Sequence, residues 1–315
     1  MKAFYATRYG GPEVMQFGEI PDPTPGKGEV LVRVHASSLN PVDWKVRSGI
    51  ARPITGFRFP KVYGNDVAGE VVGLGPGVTT FAEGDRVYGS AGILVGHPGA
   101  HAELAAIAAK GLHRIPDPMT YDDAAVLPVA ALTATNGLRL AGPVAGKKVL
   151  VNGATGGVGH YALQVAVAWG ARVTAVCSSR NADLAHELGA ELVVDYRSHD
   201  VASLHMQWDV VFDTASTLGG VAARGIIAPG GAYLTPLPGP GAIGWKLLNA
   251  VSGGPRVIIA NYRGLNEDFT ELEVLIAEGE VRSVVENAFP LDRAAEAWAL
   301  SQMGGARGKI LLRVP

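Results

Sequence analysis

The residues best placed to do chemistry form a glycine-rich turn, Val149-Leu150-Val151-Asn152-Gly153-Ala154-Thr155-Gly156-Gly157-Val158-Gly159. An apolar strand enters it and a helix-forming run leaves it. The spacing G-x-G-x-x-G is met by Ala154, Gly156 and Gly159, with alanine in the first place. Glycine at 156 lets the backbone approach a pyrophosphate, and glycine at 159 lets the helix pack closely on the strand. The helix N-terminus adds free N–H groups and the positive end of its dipole. Asn152, Thr155, Gly157 and Val158 fill the rest of the turn and are candidate contacts. A second strand ends Val176-Cys177-Ser178-Ser179-Arg180-Asn181. A dinucleotide without a 2′-phosphate is usually held at that place by Asp or Glu, and no carboxylate stands there. The hydroxyls of Ser178 and Ser179 and the guanidinium of Arg180 suit a 2′-phosphate instead, so the expected cofactor is NADPH.

These residues need a scaffold that brings strand ends together. From about Asp122 onward the pattern alternates. Helices are expected from Ala124 to Leu127, capped by Asp122-Asp123, and over Ala130 to Leu140. Strand Lys148 to Val151, helix Gly157 to Gly170, strand Arg172 to Cys177 and helix Ala182 to Leu188 follow. Short apolar strands at Leu192 to Val194, Asp209 to Phe212, Ala232 to Leu234 and Val257 to Ala260 continue the series. Near-continuous apolar strands between helices imply a parallel sheet covered on both faces. The first 120 residues or so differ. Val30 to Ala36 alternates with the strand period, and Gly64 to Val72 and Asp85 to Tyr88 are short strands between glycine turns, a β-rich domain. Glu267 to Gly279 is expected to be a helix, and Ile310 to Val314 a strand that returns to the first domain.

Composition narrows the function classes. The chain has 315 residues, 48% hydrophobic and 18% charged, with a net charge of -2 and no block of either sign. That excludes the basic footprint of a nucleic-acid binder and leaves a small molecule as the expected partner. No apolar run reaches the roughly 18–20 residues of a membrane span, so no membrane partner is expected. Met1 to Val14 lacks signal-peptide zones, and one cysteine, Cys177, permits no intrachain disulfide. A cytoplasmic location is expected. Cys177 reads as a buried small hydrophobe. His97 and His101, with Glu103, are read as a solvent-exposed loop pair and not as a metal site.

Several segments together resemble the zinc-independent quinone oxidoreductases of the medium-chain dehydrogenase/reductase superfamily. They are Ser38-Leu39-Asn40-Pro41-Val42-Asp43-Trp44-Lys45, Tyr63 to Val71, Phe81 to Gly89, Leu127-Pro128 with Leu132-Thr133-Ala134, the turn Asn152 to Gly159, and Gly308-Lys309. The resemblance runs over nearly the whole chain. It implies an α/β fold of two parts: a GroES-like β-rich catalytic domain, residues 1–121 and 263–315, and a Rossmann doubly wound domain, residues 122–262, with the active site in the cleft joining them.

The resemblance also implies roles. Asn40 and Asp43 lie in the segment that faces the nicotinamide, and Asn40 can donate to a substrate oxygen or position the cofactor. Lys45 either assists an oxyanion or makes a structural ion pair. Thr133 bonds near the nicotinamide ribose or amide. Tyr196 lies on the adenosine side or is a packing aromatic. Asn261 and Lys309 join the cofactor contacts. Tyr63 is either near substrate or in the core. Alcohol dehydrogenases of similar outline bind zinc through a Cys at the position of Asn40 and a His at that of Asn65. Asparagine is a poor ligand beside these, so no metal is expected. Without a Lewis acid, hydride delivery to a quinone or an α,β-unsaturated carbonyl is the favoured chemistry. Related enoyl-thioester reductases carry a catalytic Tyr where this chain has Ala51. An enoyl-thioester reductase and a non-catalytic NADPH-binding protein stay open as alternatives. The family pairs its last Rossmann strands across a two-fold axis, so a homodimer through Pro255 to Ala260 is expected.

Overall fold

The apolar alternation of the first third builds sheets, and the structure, a computed structural model, describes residues 1–218, 223–236, 244–246, 249, 254–262, 266–305 and 307–315, with 266–268 as backbone only. The chain divides into two units, Met1–Val129 with Val285–Pro315, and Ala130–Val284.

The first unit is β-rich. Its strands are β1 (Lys2–Ala6), β2 (Met15–Glu19), β3 (Glu29–Ser38), β4 (Lys61–Val62), β5 (Asp66–Leu74), β6 (Arg86–Ser90), β7 (Leu104–Ala108) and β8 (Leu112–Arg114). Val30, Val32 and Val34 of β3 are fully buried, the period-two face that its sequence encodes. Short helices α1 (Pro41–Arg47), α2 (Arg52–Thr55) and α3 (Tyr121–Ala125) join these strands. Thr120 caps α3, accepting from Asp123 N at 3.2 Å, and so the cap lies before the expected Asp122-Asp123.

The second unit carries α4 (Pro128–Ala141, most of it), β9 (Lys148–Asn152), α5 (Gly159–Ala168), β10 (Arg172–Cys177), α6 (Ala182–Glu187), β11 (Leu192–Asp195), β12 (Trp208–Asp213), β13 (Ile227–Thr235), β14 (Arg256–Ile259) and α7 (Asn266–Ala277). Its six strands are all parallel, in the order β11-β10-β9-β12-β13-β14. That is the doubly wound order, in which the first strand sits mid-sheet and the chain reverses beside it. Gly137 lets α4 press onto the sheet: a Cβ there would sit 2.8 Å from Ala260 Cβ and 2.9 Å from Phe212 Cζ.

The chain then returns to the first unit with β15 (Val285–Pro290), α8 (Ala294–Met303) and β16 (Lys309–Arg313). β16 pairs antiparallel with β3, Leu311 opposite Ser38. The division lies later along the chain than the expected boundaries at 121/122 and 262/263. Contacts explain both shifts. Asp122 is ion-paired to Arg313 and Tyr121 stacks on His35, which holds α3 in the first unit. Residues 282–284 are bonded to α5: Arg282 N donates to Gln164 Oε1 at 2.9 Å, Ser283 Oγ meets Tyr161 Oη at 2.8 Å, and Val284 N donates to His160 Nε2 at 3.2 Å.

One further expectation is corrected. His101 is not in solvent. It is fully buried, with Trp298 Nε1 donating to its Nδ1 at 3.2 Å, and burial pushes its pKa down to about 3. Its backbone N–H donates to Tyr63 O at 2.9 Å, and only His97 remains half-exposed, 3.6 Å from Glu29. Tyr63 belongs to the core, edge-on to Trp298 at 6.0 Å. Among the described residues no helix is long and apolar enough to cross a membrane.

Candidate functional site

In the second unit the ends of β9, β10 and β11 converge on the glycine turn. Gly153, and not Ala154, supplies the first-glycine function, because its φ of +75° is the left-handed conformation the tight turn needs. Ala154 is fully buried, and the N–H groups of Gly153 and Ala154 both donate to Val176 O, at 2.9 and 3.0 Å. Gly159 is required by contact: a Cβ there would lie 2.0 Å from Gly153 O. Gly156 N donates to Gly153 O, so the turn folds upon itself. Among the described residues, the N–H groups of Thr155, Gly157 and Val158 make no bond to protein, and they stand at the head of α5 where an anion is favoured.

The polar members of the turn divide by task. Asn152 is buried, and its Nδ2 donates to Asp213 Oδ1 at 2.7 Å and to Thr217 Oγ1 at 2.8 Å, tying β9 to β12. Thr155 Oγ1 accepts from Asn181 Nδ2 at 3.1 Å, which links the turn to the end of β10. Ser178 is buried, whereas Ser179, Arg180 and Tyr196 are exposed. Thr133 is buried on α4, and Asn261 is exposed, its carbonyl accepting from Asn136 Nδ2 at 2.7 Å.

The parallel register Cys177 opposite Asp195 introduces groups that the reading of one strand end missed. The Asp195 carboxylate accepts from Arg197 N at 3.0 Å and from Ser179, bonds that hold its pKa below the usual range. Arg197 lies over the Tyr196 ring, 5.7 Å from its centroid. The end of the sheet therefore carries two guanidiniums, Arg180 and Arg197, beside one carboxylate already engaged by protein donors. Asp195-Tyr196-Arg197 at the end of the third strand was the available signal. Cys177 is buried, and desolvation raises its thiol to about 11, an inert state.

In the first unit Asn40, Asp43 and Lys309 come together in a buried polar cluster with Ser38, Asn65 and Asp66. Lys309 Nζ donates to Asn40 Oδ1 at 2.6 Å, Leu39 O at 3.2 Å and Asp66 Oδ2 at 3.3 Å. Three acceptors satisfy all three ammonium protons. Lys309 thus acts as the internal cation of this unit. Asp66 further accepts from Ser38 Oγ at 2.6 Å, Asn40 Nδ2 at 2.7 Å and Val129 N at 2.9 Å. Asp43 accepts from Asn40 N at 2.8 Å and Asn65 N at 3.0 Å, closing the first turn of α1. Burial outweighs those bonds and pushes the Asp43 carboxyl up to about 7. Asn65 Oδ1 accepts from Ile93 N at 3.3 Å. Lys45 stands apart, half-buried, its ammonium 5.5 Å from the Trp44 ring, with no ion pair among the described residues. Burial lowers its pKa.

These features coincide with known proteins. The family model described as the alcohol dehydrogenase GroES-like domain matches residues 26–117, and that described as zinc-binding dehydrogenase matches residues 188–312. A chloroplast envelope quinone oxidoreductase homolog of Arabidopsis thaliana is 36% identical, over 99% of this chain and 98% of its own. The quinone oxidoreductase structure from Coxiella burnetii is 30% identical with a TM-score of 0.93, covering 100% of this chain and 99% of its own. A mycobacterial protein solved in complex with NADPH is 27% identical with a TM-score of 0.83, covering 99% of this chain and 100% of its own.

Removing the internal cation leaves Asp66 buried and uncompensated. Lys309→Met is expected to lower the unfolding free energy by about 3–5 kcal/mol. The double variant Asp66→Asn with Lys309→Met should recover part of it, and urea denaturation of the set measures the coupling.

Proposed function

From the premise that this chain belongs to the quinone oxidoreductase family of the medium-chain dehydrogenases/reductases, we propose that it is an NADPH-dependent, metal-independent oxidoreductase that reduces quinones and α,β-unsaturated carbonyls. The observation that carries the cofactor assignment is the end of β10 and β11, where Ser178, Ser179, Arg180 and Arg197 stand and Asp195 already accepts from Ser179 and from Arg197 N. When bound, the reduced nicotinamide supplies the hydride. The turn's open N–H groups hold the pyrophosphate, and Tyr196 offers a face to the adenine.

The donor set of the buried cluster speaks for metal independence. Asn40 Oδ1 and Asp66 Oδ2 are ligands of the Lys309 ammonium, and Asn65 Oδ1 serves Ile93 N, so the oxygens nearest to metal-ligand positions are already engaged. Asn40 and Asp43 hold α1 in place and so position Lys45. The half-buried Lys45 ammonium, unpaired, is suited to steady negative charge on an acceptor oxygen. A quinone needs no more than that, since its reduced oxygens take protons from water. β14, the edge of the six-stranded sheet, supports assembly as a homodimer by strand pairing.

Direct binding measurements in chelator-treated buffer test the cofactor assignment. NADPH should bind more tightly than NADH, and Arg180→Asp should lose about 1.5–3 kcal/mol of NADPH affinity. Wild type that binds NADH equally well would overturn it. Steady-state kinetics on matched acceptors address the substrate class: quinones and reactive enones should exceed a crotonyl-type thioester in kcat/KM. Ala51→Tyr should narrow the gap, because a missing general acid costs about 10²–10⁴-fold where the proton moves in the transition state. A thioester preference in the wild type would refute the ranking, and failure to oxidise NADPH with any acceptor would point to a binding protein. Sedimentation should show twice the 32.7 kDa chain mass at micromolar concentration.

A further inference from the structure

The segment from Ile50 to Phe57 has its polarity inverted. In α2 the polar Thr55 is buried, its hydroxyl bonded to Tyr9 Oη at 2.7 Å, while Ile54 is 69% exposed. Ile50 and Phe57 on either side are 78% and 71% exposed. A second loop repeats the arrangement. Gly92 and Gly96, both in the left-handed region, bracket a single turn that turns Ile93 into the core and leaves Leu94 and Val95 outside. The two loops adjoin: a Cβ on Gly96 would lie 3.4 Å from Ile54 O. Two adjoining loops of the first unit thus expose five large apolar side chains. Scattered surface apolar residues need no explanation, but a grouped set marks an interaction site.

The charge around the patch identifies the partner. From Trp44 to Asn65 the chain has five basic residues and no acidic one, and Arg86 to Ala102 also lacks an acid. The guanidiniums of this protein are commonly paired: Arg33, Arg86, Arg114, Arg172, Arg282, Arg293 and Arg313 each meet a carboxylate. Arg52 and Arg58, which flank Ile54 and Phe57, are exposed, and their guanidiniums make no hydrogen bond or ion pair among the described residues. Beside them opens a groove of about 370 Å³, walled by Val46, Tyr63 and Ile93, with Arg58, Lys61 and His97 at its sides. Lys61 is bonded to Thr55 O and His97 faces Glu29, and the half-buried Lys45 lies over the Trp44 ring, so Arg52 and Arg58 are the exposed cations of this segment that are left for a partner. Exposed aliphatic and aromatic side chains framed by unpaired arginines fit a bilayer interface, where the apolar groups enter the acyl boundary and the guanidiniums meet phosphate.

We propose that this face, Ile50, Ile54, Phe57, Leu94 and Val95 with Arg52 and Arg58, docks the protein on an anionic phospholipid surface. The sequence excludes a span but not such a surface contact. Docking itself does not depend on the proposed reaction. Its consequence does: a reductase so placed reaches apolar acceptors dissolved in the bilayer.

Vesicle co-sedimentation of the full chain tests this, with phosphatidylcholine vesicles against the same lipid containing phosphatidylglycerol. The wild type should pellet with the anionic vesicles and release on raising salt. Ile54→Ser with Phe57→Ser, and separately Arg52→Glu with Arg58→Glu, should each lose about ten-fold or more in partitioning. Thermal unfolding verifies that both remain folded. No preference for anionic vesicles, or unchanged partitioning of either variant, would overturn the proposal. So would a loss of dimer mass in lipid-free sedimentation of the serine variant, which would make the patch a face between copies. Quinone turnover without vesicles is read separately, so a wild type that turns over but does not dock rejects the docking alone.

Discussion

A single ammonium held away from water organises the first unit. Lys309 sits at the start of β16, Asn40 between the end of β3 and α1, and Asp66 at the start of β5, and their bonds gather these three points of the chain together. A buried charge without a partner is expensive, so each member requires the others. Ser38 and Val129 N complete the coordination of Asp66, and Asp43 anchors α1 beside it. The position of every residue on α1, Lys45 included, follows from that knot. A cluster of this kind contributes little net stability over an apolar core. Its effect is to specify one arrangement of the strand ends.

The second unit rests on a different constraint, the parallel sheet with its first strand in the middle. That order brings the ends of β9, β10 and β11 side by side and aims the head of α5 at the space above them. The body of α5 is fastened by His160, Tyr161 and Gln164 to residues 282–284, where the chain leaves the unit. His160 also meets Gly156 O through its other ring nitrogen at 2.9 Å. Because Nε2 accepts from Val284 N, the proton resides on Nδ1 and donates to Gly156. One neutral imidazole thus joins the phosphate turn to the chain's exit.

The two surfaces with functional readings differ in how they came to be exposed. The ends of β10 and β11 are open because a parallel sheet leaves its strand ends uncovered, and their polar groups suit water or a ligand equally. The Ile50–Phe57 and Leu94–Val95 loops expose apolar groups against the usual preference, while Thr55 and Ile93 take the interior places. That inversion, and not exposure by itself, gives the face its significance.

Periodicity and glycine spacing in the sequence determined the β-rich first part, the alternating second part and the turn at Asn152 to Gly159, because each depends on local backbone geometry and side-chain alternation, whereas the return of the last strand came from the family resemblance. Cys177 was legible as an interior residue for the same reason. The shift of the first-glycine function to Gly153 depends on a φ angle that spacing does not encode. Long-range neighbours were decided only by tertiary structure. Lys309 reads as the first residue of a strand, yet its partner Asp66 is 243 residues away. Asp195 reads as a strand end, and only the parallel register sets it against Ser179. His101 reads as a loop residue and lies buried on Trp298. A side chain's type and period state whether it prefers water. Which polar group it meets once water is excluded depends on strands that are close in space and far apart in the chain.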